Sequence, residues 1–570
     1  PTLGATPTVT ATATVTATPG VTPTPTVAAT VPVTSPTATA TASGPVTPTA
    51  TPDGPDTPTP SPTAPSAATP SATATATSAA TGTATATEPP DDTPEPTATA
   101  GFRTGLPFAA NAPEGEGEEV ATGVQIQNLD PVQPAAIEVD LVDETGRVQH
   151  RVSETAAPGA APNLYLPTFG ARHGLPAGLY SLVVRSTGPV GAIVRTDWRS
   201  TGGAAIYTDA EAATRLAVPL FERRRGGRSS LLSVQSVGGV TATVALTIYA
   251  GAAPTPLARL GFDVAPFGAR HLFAAQELAL QPFGAFEGWA RLDASGPIAV
   301  AAHSLSGRRA DGPRVAFADA AVADAAAASD LVVPLFRSAQ RVFGGRQSLS
   351  TRISVANPSD VPATVALTFR GSAHPDAPAA CRGGTFGQPS IVLPPGGRHV
   401  FDQAPGGGHD VPAGCFGTAR LQTGGPAERI AATVLDETDG GRLLSAYGAV
   451  PVRAASSRVY LPLFRRAFAG LTTGVQVMNL GAGDATVRID FTATDERTND
   501  SRPILCGTNC IQVVPSGGAA TWWPGSLPEV PDGTFGSAVV RADQPIVVLV
   551  NDYPLTDGRD PATYLGIAGR

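Results

Sequence analysis

A fourfold repeat constrains this chain more than any other feature. VPLF at 218–221, VPLF at 333–336 and LPLF at 461–464 each open a block, and GLPFAANA at 105–112 is a degenerate first copy. A second signature follows inside each block: TGVQIQNLDPVQPAAIEVDLV, SLLSVQSVGGVTATVALTIY, RISVANPSDVPATVALTF and TGVQVMNLGAGDATVRIDF. The equivalent turn positions are Asn128, Ser236, Asn357 and Asn479, spaced 108, 121 and 122 residues apart. Each block then has a Gly-rich aromatic entry to a strand (PAGLYSLVVR, GAFEGWARLD, PAGCFGTARL, DGTFGSAVVR) and a further strand near a proline. A polar turn follows, and a last short run holds Tyr207, Phe317, Tyr447 or Tyr564. Self-similarity of this kind marks repeated structural units.

Within a block the apolar residues come in short runs punctuated by Gly and Pro, several with period-2 alternation. In TVALTF (364–369), Val365, Leu367 and Phe369 fall on one face of a strand and the threonines on the other. Helical periodicity is nearly absent, and ADAAVADAAAASD (318–330) reads as an alanine-rich linker. Seven or so alternating strands in such a block predict a β-sandwich. The expected architecture is therefore all-β: an extended segment over 1–100, then sandwiches over 101–213, 214–328, 329–455 and 456–570. The Asn, its turn and the following A-T-V-x-L-type strand resemble bacterial extracellular immunoglobulin-like modules, the kind strung together behind Thr/Pro stalks. That resemblance implies four tandem immunoglobulin-like domains of a secreted or cell-surface protein.

Residues 1–100 have a different texture. They contain no aromatic or basic side chain and consist mostly of threonine, alanine and proline. Alone, such a segment cannot bury enough apolar surface to offset its ordering entropy. Extended as polyproline II at ~3.1 Å per residue it reaches roughly 300 Å, a stalk. Its spacing offers a second reading. Thr8, Thr10, Thr12, Thr14 and Thr16 alternate with Val9, Ala11, Ala13 and Val15, giving a strand with one hydroxyl face and one small apolar face. Such a strand suits addition to the sheet edge of a neighbouring subunit. Thr10, Thr12, Thr14 and Thr16 are also candidate O-glycosylation positions, and Asn499-Asp500-Ser501 is an N-glycosylation sequon.

Several chemistries lack their residues. The chain has no lysine, so Schiff-base catalysis and a P-loop are excluded. The net charge of −9 owes six charges to Asp53, Asp56, Glu88, Asp91, Asp92 and Glu95, and nothing forms a nucleic-acid footprint. No apolar run approaches membrane-span length. His150, His173, His271, His303, His374, His399 and His409 show no metal-ligand spacing and read as surface or loop side chains. DETDGG (436–441) and TDGRDP (556–561) hold close carboxylates without calcium-loop spacing, and read as hairpin turns. The four cysteines, with no histidine at ligand spacing, predict two disulfides in an oxidising compartment, most simply Cys381–Cys415 and Cys506–Cys510. Pro1 and the single methionine, Met478, suggest a processed product whose leader or anchor lies upstream.

The expectation is a non-enzymatic extracellular protein with no cofactor and no metal. In the first reading it is a structural subunit of a surface filament or layer, self-assembling through its sandwiches and tail, with glycans as candidate partners. The alternative is a stalked monomeric adhesin or carbohydrate-binding protein, for which Trp522 and Trp523 offer a stacking platform. A tryptophan pair on a strand places one of the two rings in the core.

Overall fold

The computed structural model describes residues 101–570 except 112–119, 199–202, 210, 307–315, 321, 324–325, 343–346, 439–442, 556–560 and 570. The alternating segment Thr8–Thr16 lies outside the described residues. The described chain is all-β, built from several antiparallel sheets packed in layers, and no helix in it is long and apolar enough to cross a membrane.

The first block runs β1 (Phe102–Asn111), β2 (Val120–Asn128), β3 (Ala135–Val142), β4 (Val148–Ala156) and β5 (Asn163–Tyr165). After α1 (Leu166–His173) come β6 (Gly178–Ser186), β7 (Val190–Trp198) and β8 (Gly203–Thr208). Hydrogen bonding orders them β4-β3-β6-β1-β2-β7-β8, with β5 beside β2. Because β1 meets β2 only at Asn111↔Ala121, the path turns there into two layers, β4-β3-β6-β1 and β5-β2-β7-β8. The third block repeats this division as two separate sheets. In the second and fourth blocks the sixth and seventh strands fuse into 21-residue strands, Phe286–Ser306 and Thr534–Pro554, which serve both layers. Core side chains fill the space between layers, and corresponding rings meet in corresponding ways. Phe336–Phe369 and Phe464–Phe491 both lie 4.8 Å apart at 60°.

The sequence signatures mark the places where the sheets depart from regularity. Pro107, Pro219, Pro334 and Pro462 each sit in a register break of the block's first strand, a position that tolerates a residue with no N–H to donate. In the first, third and fourth blocks a carbonyl at the break is satisfied from the eighth strand. Tyr207 Oη donates to Phe108 O at 2.6 Å, Tyr447 Oη to Leu335 O at 2.5 Å, and Tyr564 Oη to Leu463 O. The Gly of the aromatic entry answers a steric need. At Gly288, Gly417 and Gly536 a Cβ would come within 1.8–2.0 Å of a third-strand carbonyl oxygen, that of Tyr249, Arg370 or Thr492. In the turn after the second strand, Asn128, Asn357 and Asn479 each donate twice through Nδ2 and accept a backbone N–H through Oδ1. Ser236, shorter, reaches only Val240 O.

The blocks do not hang as separate beads. The outer face of each block's second and seventh strands lies on the outer face of the first and sixth strands of the block before. Gln235 Nε2 donates to Leu182 O (3.1 Å), Ser354 Oγ to Pro219 O (2.8 Å) and Gln476 Nε2 to Pro334 O (3.3 Å). The same relation joins the first block back to the fourth, where Gln127 Nε2 donates to Ala538 O at 3.1 Å and Tyr460 Oη to Leu129 O. Apolar side chains accompany each junction, among them Ala356 and Ala431 on Trp289, and Met478 and Val547 on Val332. The eighth strands pack neighbour to neighbour around the centre: Gly203–Thr208, Ala316–Ala320, Leu443–Gly448, Ala562–Leu565 and back to the first. One head-to-tail contact used four times closes into a ring.

Candidate functional site

Buried charges lock three of the four junctions. Between fourth and first blocks, Asp552 receives Arg195 at 2.7 Å and Arg465 at 2.5 Å; Asp552 and Arg195 are almost fully buried and Arg465 is largely so. Between second and third blocks runs a chain of pairs: Arg398–Glu287 (2.5 Å), Glu287–Arg352 (3.2 Å), Arg352–Glu437 (3.1 Å), Glu437–Arg228 (3.4 Å) and Arg228–Glu222 (2.9 Å). Burial works against ionisation of Glu287, yet Arg398 and Arg352 hold its carboxyl below the usual range. Between third and fourth blocks Arg337, paired with Asp436, also donates to Tyr553 Oη at 3.0 Å. Asp436 of the DETDGG stretch is thus a buried ion-pair partner, while most of TDGRDP lies outside the described residues.

The first and second blocks meet through histidine instead. His303 packs against Phe108 (4.6 Å), Tyr207 (5.8 Å) and Trp198 (6.3 Å), with His271 also on Phe108 (5.7 Å). The surface-or-loop reading is corrected for these two residues, which lie on strands facing another block. Burial keeps both rings neutral, lowering the pKa of His303 to about 3 and that of His271 to about 4; each also has a positively charged or imidazole neighbour. Among the described residues no group of three or more His, Cys, Asp or Glu side chains is placed to hold a metal ion.

Cys506 and Cys510 are bonded, closing the turn between Ser501–Ile504 and Ile511–Val514. The expected second bridge is not formed. Cys381 and Cys415 are buried free thiols in contact, and burial together with Cys381 raises the Cys415 pKa. They are nonetheless the pair the sequence put together. Asn499 lies at a half-buried turn, where its Oδ1 accepts from Asn163 N at 3.1 Å and its Nδ2 faces Glu154 and Asn163 O of the first block. The sequon's acceptor nitrogen therefore belongs to the junction that closes the ring. Thr10, Thr12, Thr14 and Thr16 lie outside the described residues. Of the tryptophan pair, Trp522 is buried and Trp523 is 39% exposed, its ring over Gly474 and 5.8 Å from Tyr553.

Ring closure also makes a cavity. At one end of the eighth strands, segments from all four blocks surround a space of about 840 Å³. Its walls are mostly apolar, including Val183, Val237, Pro297, Leu565 and Ile567. Four charged side chains stand among them: Arg103, Arg453, Asp209 and Glu211. The Arg103 guanidinium lies 5.2 Å over the Phe267 ring. Arg453 donates to Ala327 O at 3.4 Å, and Asp209 accepts from Ala192 N at 3.4 Å. Sequence reasoning missed this site because its parts are scattered from Phe102 to Gly569 and only the closed ring brings them together.

No protein-family profile matches the sequence, and no curated protein matches it. Among solved structures, the trypsin-activated alpha-2-macroglobulin of Escherichia coli aligns at 10% identity over 81% of this chain and 42% of that one. Its TM-score of 0.10 is too low for the likeness to bear on fold or role.

Proposed function

We propose that the chain is a stalked extracellular surface protein whose residues 101–570 act as one four-sandwich binding head, with residues 1–100 as the stalk. One observation carries this reading over the filament reading: the outer sheet edges bear the devices that natural proteins use against edge pairing. Thr385–Leu393 has Pro389 at its register break, and Pro256–Val264 opens on proline. Val148–Ala156 carries His150, Arg151 and Glu154, and the fourth block's edge is cut in two by the Cys506–Cys510 turn. The outer faces of the first and sixth and of the second and seventh strands are already used between blocks. The Cys506–Cys510 bond fits an oxidising compartment. Kinship with immunoglobulin-like modules rests on the pairing of strands two with five and three with six, which the ABED/CFG division also contains. Here the first strand lies beside the sixth.

Sedimentation velocity and negative-stain microscopy of the full chain and of the chain lacking residues 1–40 test this. Monodisperse compact heads are expected from both. Fibres from the full chain alone would return the tail to the role of a docking strand and end the stalk reading.

A further inference from the structure

We propose that the cavity where the four blocks meet is a binding site for an amphipathic organic anion, a carboxylate or sulfonate with an apolar body. The inference goes beyond the reading of the chain as a stalked head and holds whether or not the molecule assembles further. Three features point to it. At about 840 Å³ the space matches small-molecule sites, which run roughly 300–1,000 Å³ and favour junctions between domains. Its walls are apolar on several sides, so a ligand with an apolar body would bury surface there. The third feature decides the sign of the charge. Among the described residues Arg103 has no carboxylate partner, and its guanidinium rests on the Phe267 ring with its N–H edge free for a ligand oxygen. The two acids are placed differently: Asp209 already accepts the Ala192 N–H, and Glu211 is exposed at the rim.

An anion entering head first therefore meets Arg103, while its apolar part reaches the walls near Leu565 and Ile567. Every block contributes to the lining, so the site exists only in the closed ring.

Isothermal titration of the full chain with decanoate, beside decanol as the uncharged control, tests the proposal. One site per chain is expected for decanoate. Arg103→Gln, an exposed change that leaves the core alone, should weaken decanoate about tenfold, the worth of one charge-assisted hydrogen bond, without altering decanol. Ala454→Trp, also at an exposed position, should fill the space and abolish both. Absence of decanoate binding to the unaltered chain overturns the site. Binding that survives Ala454→Trp places the ligand elsewhere and has the same effect. Loss in Ala454→Trp with no change in Arg103→Gln overturns the assignment of an anion.

Discussion

Asn357 holds its turn through four hydrogen bonds: Nδ2 to Val361 O (2.8 Å) and Leu393 O (2.9 Å), and Oδ1 from Ser359 N (3.0 Å) and Oγ (2.6 Å). Asn357→Ala strands buried backbone groups without partners and should cost roughly 2–4 kcal/mol, read as a lowered urea midpoint. Ser236→Ala, at the equivalent position with one bond, should cost about 1 kcal/mol. The buried histidines set a different dependence. His303 stays neutral in the fold to about pH 3 and His271 to about pH 4, against an ordinary value of 6.5. What faces His303 is Phe108, Trp198 and Tyr207 from the first block and His271 from its own, with no carboxylate among them. Below pH 6.5 the unfolded chain takes up protons that the folded chain refuses. The associated stability is complete above 6.5 and falls with pH, by about 1.4 kcal/mol per pH unit for each ring. His303→Phe should remove one ring's share of that slope between pH 4 and 6, measured by urea unfolding at stepped pH.

Edges decide the behaviour of the strands as elements. Pro389 interrupts the outer edge of Thr385–Leu393 between Gln388 and Ile391, where an unbroken strand would present a row of open N–H and C=O groups. Pro389→Val should restore that row and raise the dimer fraction in sedimentation velocity. If the variant stays monomeric, the proline is not what protects this edge. Elements of this kind were legible. Val365, Leu367 and Phe369 are buried and Thr364 and Thr368 exposed, as period-2 alternation requires. The helix Leu166–His173 escaped notice because eight residues are too few for a 3.6 period to stand out. Its marks were local ones, Pro167 in the first turn and Gly174 at φ 66° beyond the last. The alanine-rich stretch, read as a linker, begins in the strand Ala316–Ala320 and pairs again at Val322–Ala323. Least legible were the second strands. Their polar positions, Gln127, Gln235, Ser354 and Gln476, look solvent-facing by alternation, yet each is buried against the adjacent block. Alternation records an apolar face and a polar face; it does not record whether the polar one meets water or another sheet. The axial cavity follows from those junctions, so it was hidden with them.

At the scale of the molecule, the ring couples blocks that the sequence presents as independent. Each junction covers faces that a lone block would expose, and the fourth-to-first junction has no covalent link to hold it. Its lock is Asp552, which with Arg195 and Arg465 forms a buried triad supported by Thr473 Oγ1 at 3.3 Å. Asp552→Ala leaves two buried guanidinium groups with part of their compensation gone. Breaking a buried pair from one side typically costs about 3–5 kcal/mol, because the remaining charge keeps its desolvation penalty. If the blocks folded independently, that cost would fall on the fourth alone, and calorimetry would show one component moving away from an unchanged remainder. A closed ring predicts otherwise. Opening one junction uncovers Leu129 and Gln127 on one side and Tyr460 and Val539 on the other, and removes one wall of the central strand packing. The unaltered chain should therefore unfold in a single endotherm, and Asp552→Ala should shift the whole of it downward. Arg195 is also paired with Asp197 at 2.6 Å, so the quadruple change Asp552→Ala, Arg195→Met, Arg465→Met, Asp197→Asn, which removes the stranded charges together, should recover most of the shift. A split endotherm in the unaltered chain would mean that the four blocks share a surface without sharing their stability.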